Sequence, residues 1–493
     1  MSLMVNAAAY WTEVALEANR RDFSVVEVPP GQPPVPTEQG GPTLSARALA
    51  LVHLAMHDAY FSVLGVPPVP GGDLTWMPGL VAPAGLGSPE GAMAAAAEAM
   101  LRLLYRHERH ATAFDQAHDA FMAAIAAPPD AEAWGREVAT RIHDDRKDDL
   151  GYVATLQGTN PDRFRHHPDP LHPRQGLHGQ QWGRCRPFTV PRIALAPPPG
   201  WPAGFDGDAY YQAEYDEVRQ KGARSDHTRT PDETVMGIFW AYDGADQIGT
   251  PPRLYCQIGL SILDRLAAMP GSVVETSDYV RMLTLMTAAM ADAGIQAWHW
   301  KYHYDLWRPV AGIREGDPSF GPAATVAGKA AKGRTDWMPI GAPATNRGDR
   351  FTPGFPSYPS GHATFGAAAF QVIRRYLEIR GAATPAPGGD ADTIAFDFVS
   401  DEYNGRNIDP DGTQRPRHLR HFDSLWEATV ENSLSRVFLG VHWRFDGISV
   451  AAPGGGADTG TPAKPSELGP IGGVWLGREI AEALMAGGLK RFP

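Results

Sequence analysis

Apolar residues recur at three- and four-residue steps over nine stretches of the chain, the spacing that lines one face of an α-helix. These stretches are 44–64, 91–105, 131–145, 231–240, 254–268, 277–307, 362–380, 423–439 and 472–486. One carries a clear start signal, with Thr230 as N-cap and Pro231 at the first helical position. Period-two alternation is rare, and 393–399 is the main strand candidate. Pro- and Gly-rich runs at 29–42, 196–204, 384–390 and 452–465 read as loops, because Pro removes a backbone donor and Gly loosens the chain. The pattern predicts a mainly α protein, two helix bundles with long irregular loops, divided into an N-terminal half over 1–200 and a C-terminal half over 201–493.

Composition narrows the partners. The chain carries 44 Lys+Arg against 56 Asp+Glu, a formal charge of −12, so no general nucleic-acid or anionic-membrane surface is expected and any anion site must be a local cluster of cations. The two cysteines, Cys185 and Cys256, are too few and too far apart for a disulfide framework or a zinc module, and are expected as buried free thiols. Glu13 and Glu17 interrupt the N-terminal apolar pattern at helical spacing, so no secretory leader is expected. The longest apolar stretches carry polar groups and are too short to span a bilayer. Compartment, and monomer against homo-oligomer, stay open.

Three segments carry candidate chemistry. In KYHYDLWRP, Lys301 and Arg308 stand seven positions apart, which on one continuous helix aims both the same way about 10.5 Å apart along the axis. The bland alternative is a surface ladder through Asp305, but Trp298, Trp300, Tyr302, Tyr304 and Trp307 crowd the segment, and cations among aromatic rings point to partial burial. In FPSYPSGHATFG, Ser360 falls at an N-cap, Gly361 leaves room for backbone approach and His362 lies in the first helical turn, an anion cradle with a proton carrier beside it. In SLSRVFLGVHWRFDG, Arg436 and His442 meet a common ligand only if the helix ends between them, and Gly440 is the place for that ending.

Together the Lys301 to Arg308-Pro309 spacing, the Pro359-Ser360-Gly361-His362 quartet and the Ser435-Arg436 to His442 segment resemble the signature of vanadium-dependent haloperoxidases and their acid phosphatase and lipid phosphatase relatives, with the chloroperoxidase branch most similar. The resemblance implies vanadate as cofactor, in the C-terminal bundle, with Lys301, Arg308, Ser360, Gly361 and Arg436 on its equatorial oxygens and His442 as the metal ligand. It implies His362 as proton carrier, with Lys301 assisting, and Trp298 and Phe355 as an apolar halide pocket. The implied reaction uses hydrogen peroxide to oxidise bromide, and chloride as well, to a hypohalous acid equivalent that halogenates a small organic acceptor. Phosphate is expected in the same pocket when vanadate is absent. A competing reading on the same scaffold is a phosphatase in which His442 attacks phosphorus and His362 protonates the leaving group; a helical binding scaffold would leave three cations without a purpose.

Other histidines are read as structural. His53 with His57, and His299 with His303, have metal-ligand spacing but lack the glutamate a zinc protease needs. His166, His167, His172 and His178 fall in a Pro-rich run and are expected to be exposed.

Overall fold

The computed structural model describes residues 6–28, 30–67, 73–154, 158–202, 205, 207–328, 334–383 and 391–493. Its helices are α1 (Ala7–Asp22), α2 (Gly41–Leu64), α3 (Pro89–Leu104), α4 (Glu108–Ile125), α5 (Pro129–Asp145), α6 (Ala209–Lys221), α7 (Pro231–Phe239), α8 (Pro251–Ala267), α9 (Thr276–Tyr304), α10 (Pro309–Arg314), α11 (Gly361–Ile379), α12 (Leu425–Phe438), α13 (Arg444–Gly447) and α14 (Gly472–Gly487). Two small antiparallel pairs complete the set: β1 (Phe396–Phe398) with β2 (Arg420–Phe422), in register Phe396 to Phe422, and β3 (Val450–Ala451) with β4 (Ala457–Asp458). The mainly α reading holds. β1 lies inside the expected strand segment, whereas β4 falls inside the run at 452–465 that was read as loop; the run at 384–390 lies outside the described residues.

Two helices form the centre. Every residue from Thr43 to Ser62 of α2 is buried, as is every residue from Asp278 to Trp298 of α9, the signature of helices covered on all sides. α2 packs on α3, α5 and α9, while α9 packs on α2, α8, α11 and α14, so one apolar core runs from Ala8 to Leu489. Polar stitches join the central pair: Thr284 Oγ1 donates to the His53 carbonyl at 3.0 Å, and Arg281 Nη1 lies 2.9 Å from His57 Nε2. The irregular connection after the N-terminal helices is strapped to α9 by buried Asp292, which accepts from the N–H groups of Phe188, Thr189 and Val190. A buried carboxylate is stable only with such bonds.

Several boundaries differ from the sequence reading. α1, α4 and α6 fell outside the nine stretches: α4 buries only His110, Phe114, Ala117 and Phe121 and α6 only four residues, while the buried face of α1 is interrupted by Thr12, Asn19 and Asp22. α7 starts with the expected Thr230 cap, completed into a capping box by Glu233. α9 stops at Tyr304, because Asp305 turns left-handed at φ 49°, and Pro309 then opens α10. Lys301 and Arg308 therefore do not share a helix. The histidine run is not exposed: His166 and His167 are buried, and His172 and His178 are half-buried. Cys185 and Cys256 are free and buried as expected. Among the described residues no helix is long and apolar enough to cross a membrane.

Candidate active site

The C-terminal end of α9, the N-terminal ends of α10 and α11 and the C-terminal end of α12 bring the three motif segments together. Lys301, in the last turn of α9, is fully buried and donates from Nζ to the carbonyls of Pro356 and Ser357, each at 2.9 Å. Arg308, the N-cap of α10, donates Nε to Phe355 O and Nη1 to Val441 O, both at 2.8 Å. α12 gives way at Gly440, whose φ of 71° suits glycine, and the turn delivers His442 back to the same place. Arg436 holds Asp243 in a fork at 3.0 and 3.1 Å. Ser360 caps α11 without using its side chain, and Gly361 sits tight against the Trp298 ring, which a Cβ there would approach to 3.2 Å.

Hydrogen bonds fix the state of both histidines. A guanidinium only donates, so Arg308 Nη1, 3.1 Å from His442 Nε2, faces a lone pair on that nitrogen. The imidazole proton then sits on Nδ1, 2.9 Å from Asp446 Oδ2. Asp446 is itself held by the Trp443 N–H at 2.9 Å and by the Ser357 hydroxyl. His442 is thereby locked as the neutral tautomer with a basic Nε2, the form a metal ion needs, backed by a carboxylate. His362 has the opposite arrangement. Its Nε2 lies 2.6 Å from the Ala241 carbonyl, which only accepts, so Nε2 carries the proton and Nδ1 the lone pair. The His362 carbonyl is pinned by Tyr255 Oη and Asn432 Nδ2, each at 3.0 Å.

Electrostatics follow from burying three cations together. Burial, reinforced by Arg308 and Arg436, pushes the Lys301 ammonium well below its ordinary value, and burial brings Arg308 down to about 9. Burial, with the cations repelling a further positive charge, keeps His362 and His442 well below the usual imidazole range, hence neutral. Burial raises Asp446 to about 7 and also raises Asp243, against the pull of their cationic neighbours. Several donor atoms in this cluster are buried without a protein partner: Arg308 Nη2, Arg436 Nε and Nη1, and Ser360 Oγ. Such atoms are costly unless a ligand meets them. Their chemistry, forked cations with a hydroxyl at a helix N-terminus, fits a multiply charged oxyanion.

A cavity of about 710 Å³ leads to the cluster, lined by His362, Arg436 and His442 together with Trp298 and Phe355. The two rings lie 4.8 Å apart, with Lys301 Nζ 5.0 Å from the Phe355 centroid and Arg308 Cζ 4.8 Å from it. All nine residues singled out by the motifs thus belong to one neighbourhood. Asp243, Ser357 and Asp446 were not assigned in advance. Asp446 had a signal, four residues after His442, whereas Asp243 reaches Arg436 across 193 positions and had none.

Fold and site define a helical-bundle protein with a buried oxyanion cradle and a metal-competent imidazole at its edge. Known proteins sharpen that class. Residues 3–175 match the family model for the vanadium chloroperoxidase N-terminal domain, and 281–459 that for the VCPO second helical-bundle domain. Vanadium chloroperoxidase from Curvularia inaequalis is 34% identical over an alignment of 585 residues, spanning 99% of this chain and 91% of that protein. Among solved structures, a bacterial vanadium-dependent iodoperoxidase superposes with a TM-score of 0.65 at 20% identity, covering 97% of this chain and 95% of its own. A holo-type bacterial vanadium-dependent chloroperoxidase gives 0.61 at 16% identity, covering 91% and 93%. The chain belongs to the vanadium chloroperoxidase family.

Proposed function

We propose that this chain is a vanadium-dependent haloperoxidase in which Lys301, Arg308, Arg436, Ser360 Oγ and the Gly361 N–H hold the oxygens of vanadate and His442 Nε2 binds its metal. Membership of the family supports the activity, and the buried, unpartnered nitrogens of Arg308 and Arg436 with Ser360 Oγ are the observation that supports the ligand set. When bound, vanadate supplies Lewis acidity toward hydrogen peroxide. The protein's own work is positional. Asp446 holds the His442 tautomer, Asp243 holds Arg436, and His362 offers Nδ1 to take and return a proton. Trp298 and Phe355 exclude water beside Lys301, so that halide meets the oxidant poorly hydrated. Bromide, and chloride as well, would leave as a hypohalous acid equivalent that halogenates small organic acceptors, and phosphate would compete for the same donors.

The test is halide-dependent bromination of a phenol dye by hydrogen peroxide, with and without added vanadate and with phosphate as competitor. Turnover that requires vanadate and is suppressed by phosphate is expected. Vanadate-independent turnover, or reconstitution indifferent to high phosphate, would contradict the shared oxyanion site.

A further inference from the structure

Trp298 and Phe355 do not close the wall beside Lys301 by themselves. A third ring, that of His178, reaches it from the irregular segment ahead of the single turn at Trp182–Arg184. Its centroid lies 6.0 Å from that of Trp298, edge-on at 87°, and 6.1 Å from that of Phe355. The main chain of the same residue ties both neighbours down. Its carbonyl accepts from Trp298 Nε1 at 3.1 Å and from Tyr302 Oη at 2.6 Å, and its N–H donates to Gly354 O at 2.9 Å, one position before Phe355. The ring is anchored from the opposite half of the molecule, with Nε2 3.1 Å from Thr43 Oγ1 in the first turn of α2. Burial brings its pKa down to about 4, so at mildly acidic pH the ring is an uncharged plate and not a cation.

We propose that His178 is a specificity-determining residue for halide, its ring forming a third side of the halide pocket in the cavity it shares with Trp298, Phe355 and His362. A small halide ion holds water more tightly than a large one, so a gap at this ring readmits water and handicaps the smallest halide most. The inference rests on the haloperoxidase reading above.

The test compares halide kinetics of the vanadate-loaded wild type with those of His178→Ala and His178→Phe, alongside calorimetric titration of vanadate into each. Substitution of the side chain keeps the main-chain bonds to Trp298, Tyr302 and Gly354. The alanine variant is expected to raise KM for halide about tenfold, most for the smallest halide turned over, with vanadate affinity within about threefold of wild type; the phenylalanine variant should restore halide KM to within about threefold. Unchanged halide KM in the alanine variant, or a fall in kcat alone, or failure of phenylalanine to restore KM, would overturn the proposal. A wild type that binds no vanadate would overturn the functional reading and this proposal with it, and the titration tells that failure apart from the others.

Discussion

Each half of the molecule buries a cluster of long cations, and the two clusters are finished differently. In the N-terminal half Arg47 and Arg146 share Asp149, with Nε–Oδ2 distances of 3.1 and 2.8 Å. Arg47 also donates to the Arg146 carbonyl, Arg146 donates to the carbonyls of Pro187 and Arg186, and its Cζ lies 3.9 Å from the Phe188 centroid. No guanidinium nitrogen of that pair is buried without a partner. In the C-terminal half Lys301, Arg308 and Arg436 are equally buried, but Arg308 and Arg436 keep unpartnered nitrogens beside an unpartnered Ser360 hydroxyl. Burial of charge therefore does not mark a binding site. Single unpartnered guanidinium nitrogens also occur elsewhere, at Arg109, Arg281 and Arg415 among others, so what sets the C-terminal cluster apart is that the unpartnered donors of Arg308, Arg436 and Ser360 converge where the cavity ends.

Mutations on either side should separate along that line. The largest effect is expected at His362: replacing it with alanine leaves the oxyanion donors in place but removes the proton carrier, so turnover falls about 10²- to 10⁴-fold while vanadate still binds. Steady-state assays across pH, with parallel vanadate titration, check this. Arg146→Ala should behave in reverse. It leaves Asp149 to Arg47 alone and strands the carbonyls of Pro187 and Arg186, costing about 2–4 kcal/mol of stability in chemical denaturation, with vanadate affinity unaltered.

Acid sensitivity sharpens the N-terminal side. Burial lowers the folded-state pKa of His53 from 6.5 to about 4, with Thr12 Oγ1 and the Leu49 carbonyl as its partners. Between those values the unfolded chain binds a proton that the folded chain refuses. Stability from this group is therefore full above about pH 6.5, falls as pH drops, and is gone below about 4, a loss on the order of 3 kcal/mol. His53→Gln should flatten the pH dependence of the denaturation midpoint over that window, whereas an unchanged slope would point to the other buried histidines.

A smaller effect is expected at Asp446→Asn. Asparagine can offer its amide N–H to His442 Nδ1, which favours the tautomer with the proton on Nε2 and removes the lone pair. Vanadate affinity should weaken about 10- to 100-fold with little change in fold, measured by calorimetry and circular dichroism.

Much of this site was legible because its parts are local. Ser360-Gly361-His362 is a helix start that can be recognised from turn residues and an apolar run, and Gly440 announces the break that returns His442 to Arg436. What failed to show was chain reversal at positions that no glycine or cap residue marks. Arg308 was placed on the helix of Lys301, but a left-handed Asp305 redirects the chain and Arg308 reaches the site from the cap of the next helix. The Pro-rich run from His166 to His178 looked solvent-exposed by composition; instead the His166 N–H donates to Asp305 O at 2.9 Å and the His178 N–H to Gly354 O, which lay it over the site. Asp243 sits in the short connection between α7 and α8, where no spacing links it to Arg436. Helical periodicity reports which face is buried, but not which distant carboxylate will meet a buried cation.

The most direct test of the central claim, that the C-terminal cations and His442 form one vanadate site, is calorimetric titration of orthovanadate into the vanadium-free wild type and His442→Ala. One binding event per chain is predicted for the wild type, and loss of tight binding in a variant whose circular dichroism and thermal midpoint match the wild type. Equal affinity in the two proteins would contradict the account.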